Sequence, residues 1–328
     1  MMERTLETFK RSDVPAELLK GVSYKALAQN LLFDWVIVLS CMVLMFQTSP
    51  YLYPLWVVII AGRFHGFGVI LHDLCHMNLT KKSWRLRLIE IFSGYVVGTT
   101  ANAMAYHHIR HHRDTLMDTD PYYKVNKKCS GAIRIWLTFK KGTFFIPYWV
   151  TRSFVAPFAL LIPVLRTPYA RIFLQDVSKT DLTHHPEVRT CAIEDIPLAI
   201  FQATILFISI RYFDFMLYAF YIPLIITGIF VIYRLLIEHE YNIVSDRTIY
   251  TMIESTFDHH TRPLERILVG PNNIGYHCVH HIHPGVGLHN LPKLRDWYLE
   301  RSKQYQEKYL VPKRLTWKQQ LFGGIHQK

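Results

Sequence analysis

Three groups of histidines carry the chemistry available to this sequence. His72-Asp73-Leu74-Cys75-His76 sets two imidazoles four residues apart, a spacing that on a helix puts both on one side. His108-Ile109-Arg110-His111-His112 sets three rings at i, i+3 and i+4, and His277-Cys278-Val279-His280-His281 repeats that HxxHH spacing late in the chain. His107 lies just outside the second pattern. Two triads and a pair offer eight ring nitrogens at ligand spacing, whereas a closed zinc site takes about four ligands. Number and spacing therefore point to two ions, each held by several imidazoles with a position left for an exogenous ligand, which is what O2 chemistry needs. Imidazole suits Zn, Cu, Fe and Ni, so ligand type alone does not choose the metal. A storage tract would be contiguous and irregular; these groups are short and regular. His184-His185 and His259-His260 lack a third member at ligand spacing and are expected to be surface or cap residues.

The elements that must position these groups are apolar runs approaching the roughly 20 residues needed to cross a bilayer core. Spans are expected near 31–47, 51–71, 196–210 and 215–233. Thr48-Ser49-Pro50 reads as a tight external turn between the first two, so the second span returns His72 to the face where Lys81, Lys82, Arg85 and Arg87 follow. The second pair is broken at Arg211 and Asp214 and returns the chain to the side of Glu238 and His239. Residues 144–165 are apolar but contain Arg152, Pro147, Pro157 and Pro163. A single crossing there would strand the third histidine group on the opposite side, so this segment is expected to be interfacial or re-entrant. The fold expected is an all-α integral membrane domain over 1–328, with about four transmembrane helices and a cytosolic helical cap (72–143, 166–195 and 238–328) carrying the metal site.

Half of the residues are hydrophobic and the formal net charge is +12. Lys and Arg collect beside the apolar runs and in the C-terminal tail, which fits a positive cytoplasmic face better than nucleic-acid binding. Such a face attracts anionic headgroups or an acidic redox partner. Cys41, Cys75, Cys129, Cys191 and Cys278 show no CxxC pairing and are expected to be reduced. The charged N-terminus reaches its first apolar run too late for a signal peptide and is expected to stay in the cytosol. Asp34, Arg63 and His65 lie within the expected spans, where ionisable groups are functional candidates by default and paired structural groups otherwise. Trp297 and Tyr298 read as packing or interface anchors.

With these motifs in view, residues 60–300 resemble the membrane fatty acid desaturase superfamily of acyl desaturases, lipid hydroxylases and carotenoid ketolases and hydroxylases. The family's HxxxH falls on His72 and His76, its first HxxHH on His108, His111 and His112, and its second on His277, His280 and His281. The surroundings match as well: Asp73 beside His72, Asp118-Thr119-Asp120-Pro121-Tyr122 after the second group, and the run from Tyr276-His277 through Pro284 to Leu291-Pro292-Lys293-Leu294. Bacterial members often carry Arg-x-x-x-Glu-His after the last span, and Arg234-Leu235-Leu236-Ile237-Glu238-His239 is similar. That likeness implies His239 as a ninth ligand, with Glu238 orienting a neighbour. Asp73, Asp120 and Asn273 complete the candidates for support around the ligands; Asn272 and Asn273 could orient a bound water, and turn formation beside Pro271 accounts for them equally. Val279 departs from the Glu or Gln of many desaturases, and His281-Ile282-His283-Pro284 is closer to carotenoid ketolases.

The resemblance implies two irons, O2 as co-substrate, a lipid or fatty acyl substrate, and a bacterial inner-membrane location with the metals on the cytoplasmic side. A C–H bond has no acidic proton for a base and demands a metal–oxygen oxidant, which agrees with the two-ion reading. No GxGxxG follows a strand and no CxxC iron–sulfur pattern occurs, so electrons are expected from an external donor such as ferredoxin. Acyl-lipid desaturation is the first expectation; hydroxylation or ketolation of a carotenoid or other lipid is the second. A membrane metal binder or transporter is the third, but a transport path would place histidines or carboxylates at mid-bilayer rather than at one face.

Overall fold

Ser23 closes the polar lead-in and accepts a hydrogen bond from the Ala26 amide, capping α1 (Tyr24–Gln47) about two turns before the apolar run begins. In the computed structural model, which describes residues 10–122, 131–239, 243–258 and 263–310, every regular element so described is helical, apart from one isolated bridge between His239 and Thr256. A 3-10 turn at Pro50–Leu52 leads into α2 (Tyr53–Leu74). Then come α3 (Trp84–Glu90), a π-helical turn (Ile91–Tyr95), α4 (Ala101–Asp114) and α5 (Gly131–Leu161). The chain continues through α6 (Arg166–Phe173), α7 (Pro186–Arg211), the short α8 (Phe213–Met216), a second π-helical turn (Leu217–Tyr221) and α9 (Ile222–Glu238). Five small helices complete it: α10 (Ile249–Ser255), α11 (Pro263–Leu268), α12 (His277–Ile282), α13 (Leu291–Arg301) and α14 (Lys303–Leu310).

Among the described residues, five stretches are long and apolar enough to cross a membrane: Tyr24–Gln47, Pro50–Leu74, Phe139–Leu161, Pro186–Arg211 and Phe213–Leu235. Their outward faces are apolar, with Phe46 74%, Phe207 75% and Ile210 77% exposed, a belt that water would not tolerate and lipid would cover. The segment expected to be re-entrant or interfacial lies largely in α5, a continuous helix with Pro147 and Pro157 inside it. Arg152 is accommodated there because it is fully buried against Asp195 of α7, with Nε to Oδ2 2.7 Å apart. Two boundaries move accordingly: residues 131–143 and 186–195, expected in the cap, belong to α5 and α7.

Three apolar clusters organise the described residues. One joins α1, α2 and α9 around Phe64, Phe67 and Phe220; a second packs α4, α5, α6 and α7 around Tyr106 and Tyr169. The third builds the cap from α10, α12, α13 and α14 around Met252, Val279 and Tyr298. Between α3 and α4 the chain turns sharply at Gly98, whose φ of +78° a side chain rarely adopts. A Cβ there would also stand 2.6 Å from Val150. The turn folds α4 beneath α2 and so brings the second histidine group under the first. The four described cysteines are buried and unpaired, as expected of reduced thiols, and Cys129 lies outside the described residues.

Candidate metal centre

Each histidine group sits where local structure forces its spacing into proximity. His72 lies in the last turn of α2 and His76 in the turn that follows, where its amide reaches the Asp73 carbonyl at 3.2 Å. The second group occupies the C-terminal half of α4, whose start is fixed twice. Thr100 caps it by accepting from the Ala103 amide, and the buried Glu90 carboxylate accepts from the Ala101 amide at 2.7 Å. The third group is nearly all of α12, six residues without a side-chain N-cap. His239 terminates α9 in extended conformation, and Phe257 donates to the Glu238 carbonyl at 2.8 Å just beside it.

The fold gathers these histidines into two adjoining sets. One comprises His72, His76, His108, His112 and His280; the other comprises His111, His239 and His281, with Glu238, His239 and His277 converging alongside. In each group the candidate ligand atoms lie within 4.8 Å of one another. The sets touch through His112 and His281, whose ring centroids are 4.4 Å apart. All nine histidines named from the sequence are therefore in one place, while His184 stays exposed outside it and His259-His260 lies outside the described residues.

The spacing between ring nitrogens is that of ligands around an ion. Nε2 of His108 lies 3.1 Å from Nε2 of His76 and 2.8 Å from Nε2 of His112; Nε2 of His239 lies 3.1 Å from that of His277 and 3.3 Å from that of His281. Two nitrogens each about 2.1 Å from a shared ion, at angles of roughly 90–110°, are separated by about 3.0–3.4 Å. Among the described residues, buried nitrogens of His72, His111 and His112 and both of His280 have no hydrogen-bond partner, a desolvation cost that a metal relieves by taking one lone pair from each ring. The donor set therefore fits metal.

Electrostatics and tautomers agree. Burial, the leading cause, pushes His76 and His239 down to about 4. It drives His108, His112, His277, His280 and His281 well below the ordinary value. The rings are thus neutral, as ligation requires. His111 Nδ1 donates to Asp120 Oδ1 at 2.8 Å, leaving Nε2 as the free lone pair. Thr115 Oγ1 donates to the His111 carbonyl, so it accepts from His281 Nδ1 at 3.1 Å and fixes that ring in the same sense.

The supporting residues divide. Asp120 touches a histidine and also accepts from the amides of Leu116 and Tyr122, 2.8 Å each, holding Leu116 at a φ of 59°. Glu238 Oε1 lies 3.6 Å from His277 Nδ1 and 3.5 Å from Arg234 Nε. Asp73 and Asn273 meet elsewhere: Asp73 accepts from the Leu288 amide at 3.2 Å, and Asn273 donates to the Leu288 carbonyl at 3.3 Å, so both tie the loop after α12. Thr115 escaped the sequence reading, and so did Tyr122 as a ring stacked 4.3 Å from His111 and bonded through its hydroxyl to His107 Nδ1 at 2.7 Å. Tyr298, expected as an anchor, is fully buried and 2.8 Å from His283 Nε2.

A cavity of about 460 Å³ opens onto the histidines, walled by side chains such as Phe64, Val69, Met104, Trp149 and Val231 from α2, α4, α5 and α9. A mostly apolar chamber ending at buried imidazoles suits an aliphatic chain. A family model described as fatty acid desaturase matches residues 48–313. The sequence has no significant match among curated proteins.

Proposed function

Because the chain belongs to the fatty acid desaturase family, a membrane-associated group of lipid-acting oxidoreductases, we propose that it is an O2-dependent di-iron acyl-lipid desaturase. The observation that carries this reading is the convergence of nine histidines, in two sets and all but His76 buried, on an apolar cavity. His72, His76, His108, His112 and His280 would hold one iron; His111, His239, His277 and His281 would hold the other, with Glu238 beside His277. Irons bound there supply O2 activation and hydrogen removal from an unactivated methylene.

The chain's own contribution is placement and exclusion. Asp120 and Thr115 fix the His111 and His281 tautomers, and Glu238 stands beside the His277 ring. The walls at Phe64, Val69 and Trp149 keep water from the reacting segment and hold the acyl chain against the ligands. Electrons come from an external donor of the ferredoxin kind, drawn to the basic face. The site lies on the cytoplasmic side of a bacterial inner membrane. Histidines before and after α5, α7 and α9 share one site, so these three helices together make an even number of crossings; α5, with Arg152, Lys140 and Lys141 along it, is the one that does not span.

Metal analysis of purified protein, with lipid and pigment profiling of an expressing bacterial host against an empty-vector control, tests the proposal. About two irons per chain with new unsaturated acyl chains is the expected result. Two irons with hydroxylated or keto products would reassign the reaction, and protein without iron in an unchanged lipid background would overturn it.

A further inference from the structure

Among the polar clusters outside the metal centre, one is buried between α1 and α2. Asp34 of α1 and Arg63 of α2 pair with Nη1 to Oδ1 at 2.7 Å, both side chains almost fully shielded. Arg63 lies nine residues before His72, about 13 Å along the helix at ~1.5 Å per residue. Its Nη2 donates to the backbone carbonyl of Ile267, and His65 Nδ1 donates to the next carbonyl, Leu268, at 2.9 Å. Asn272 completes the cluster, its amide donating to Asp34 Oδ2 and to the Gly66 carbonyl at 3.3 Å each. The partners are a segment some 200 residues away in sequence that dips against α2 just before the third histidine group.

Two glycines make the approach possible. A Cβ at Gly62 would stand 2.7 Å from the Ile267 carbonyl oxygen, and one at Gly66 would overlap Asp34 Oδ2. Gly62-Arg63-Phe64-His65-Gly66 is thus a GxxxG groove in an apolar span, used here to seat the C-terminal end of the short α11 and the turn that follows it rather than a second long helix. Asn272 and Asn273 both hold positive φ, 55° and 66°, so the chain turns here, and His277 follows four residues after Asn273.

We propose that residues 263–273 form an arm locked into the α2 groove by Arg63, Asp34, His65 and Asn272, and that this lock positions the third histidine group on the metals. Arg63, Asp34 and Asn272 are accordingly positioning residues, and the inference rests on the two-metal reading above. Its asymmetry makes it testable. The third group supplies one of five histidines to the first set but two of the four around the second, so loosening the arm weakens the second ion most.

The test is a cobalt(II) titration of the full-length protein in detergent, followed by visible absorption. Wild type should bind two equivalents. Arg63→Met should weaken one of them at least tenfold while the other changes less than about twofold, and Arg63→Lys should recover part of the loss. Arg166→Met is the control, since Arg166 also donates to backbone carbonyls, those of Ala159, Leu160 and Thr183, away from the histidines; it should lower the unfolding temperature without splitting the equivalents. Asn272→Gly removes the amide, keeps the positive φ and leaves the buried ion pair intact, so it serves where Arg63→Met does not fold; a severalfold loss of the same equivalent is expected. Two unchanged equivalents in Arg63→Met or Asn272→Gly, or equal weakening of both, would overturn the lock. A wild type that binds fewer than two equivalents would instead sink the two-metal reading.

Discussion

The second and third histidine groups share one sequence pattern and are held by opposite means. The second rides on α4, fourteen residues long, with a capped start, the Glu90 carboxylate on its first amide, and Arg152–Asp195 packed beneath through Thr99 and Thr100. The third rides on α12, six residues, shorter than any helix that holds itself in water. It borrows its shape from Asp258, which accepts from the Cys278 amide at 2.7 Å, and from the arm beneath it. HxxHH therefore specifies where ligands point only after something else has fixed the helix, and what fixes it can be local or distant.

At the ligands themselves the two regions should behave alike, and the largest effects lie there. His111→Ala and His280→Ala should each abolish turnover and lower metal content, measured by metal analysis and product profiling; full turnover in either would break the site. His184→Ala should do neither, because that residue is exposed and belongs to neither set.

Acid should strike both sets together. His76 and His239, one from each, are held at about 4 against an ordinary 6.5 by burial. Above pH 6.5 neither the folded nor the unfolded chain protonates them. Between 6.5 and 4 only the unfolded chain gains the protons, so the metal-free protein loses about 1.4 kcal/mol of stability per pH unit for each such histidine. Thermal unfolding of chelator-treated protein should fall steeply across that window and flatten below it; a flat profile from 6.5 to 4 would show the rings to be solvated.

Support residues should separate the regions. Asp120→Ala removes the acceptor for His111 and the anchor of the left-handed Leu116, and a loss of about 10- to 100-fold in metal affinity is expected. Asp258→Ala removes the bond to the Cys278 amide of α12 and the one from the Tyr305 hydroxyl, and because α12 has no side-chain cap at its own N-cap residue the change should also cost metal affinity, by severalfold in a cobalt titration. Equal affinity in wild type and Asp258→Ala would mean that the short helix is held well enough without it.

What the sequence disclosed follows the same division. Ligands within a single helix were legible, since i, i+3 and i+4 spacing is decided by local geometry. His239 was legible only by resemblance, because it ends α9 and reaches His277 and His281 through a tertiary contact. Thr115 gave no signal and Tyr122 stood only as part of a matching motif, as their roles arise where α4 and its following turn fold back. The helix at α5 was obscured by Pro147, Pro157 and Arg152, whose burial against Asp195 only the fold reveals. Arg63 and Asp34 stood out as ions in a span, but their partners, the carbonyl of Ile267 and the amide of Asn272, lie far off in sequence.

The smallest effect is the most direct check on the contrast. Thr100→Ala removes the cap of α4 and the hydroxyl that reaches Asp195 at 3.1 Å, changes worth about 1–2 kcal/mol of stability. Glu90 still holds the Ala101 amide and Arg152 still holds Thr99, so the helix keeps its position and cobalt affinity should stay within about twofold while the unfolding temperature drops by a few degrees. Were Thr100→Ala to weaken metal binding tenfold, the second group would be as dependent on single supports as the third, and the division between a self-held helix and a borrowed one would fail.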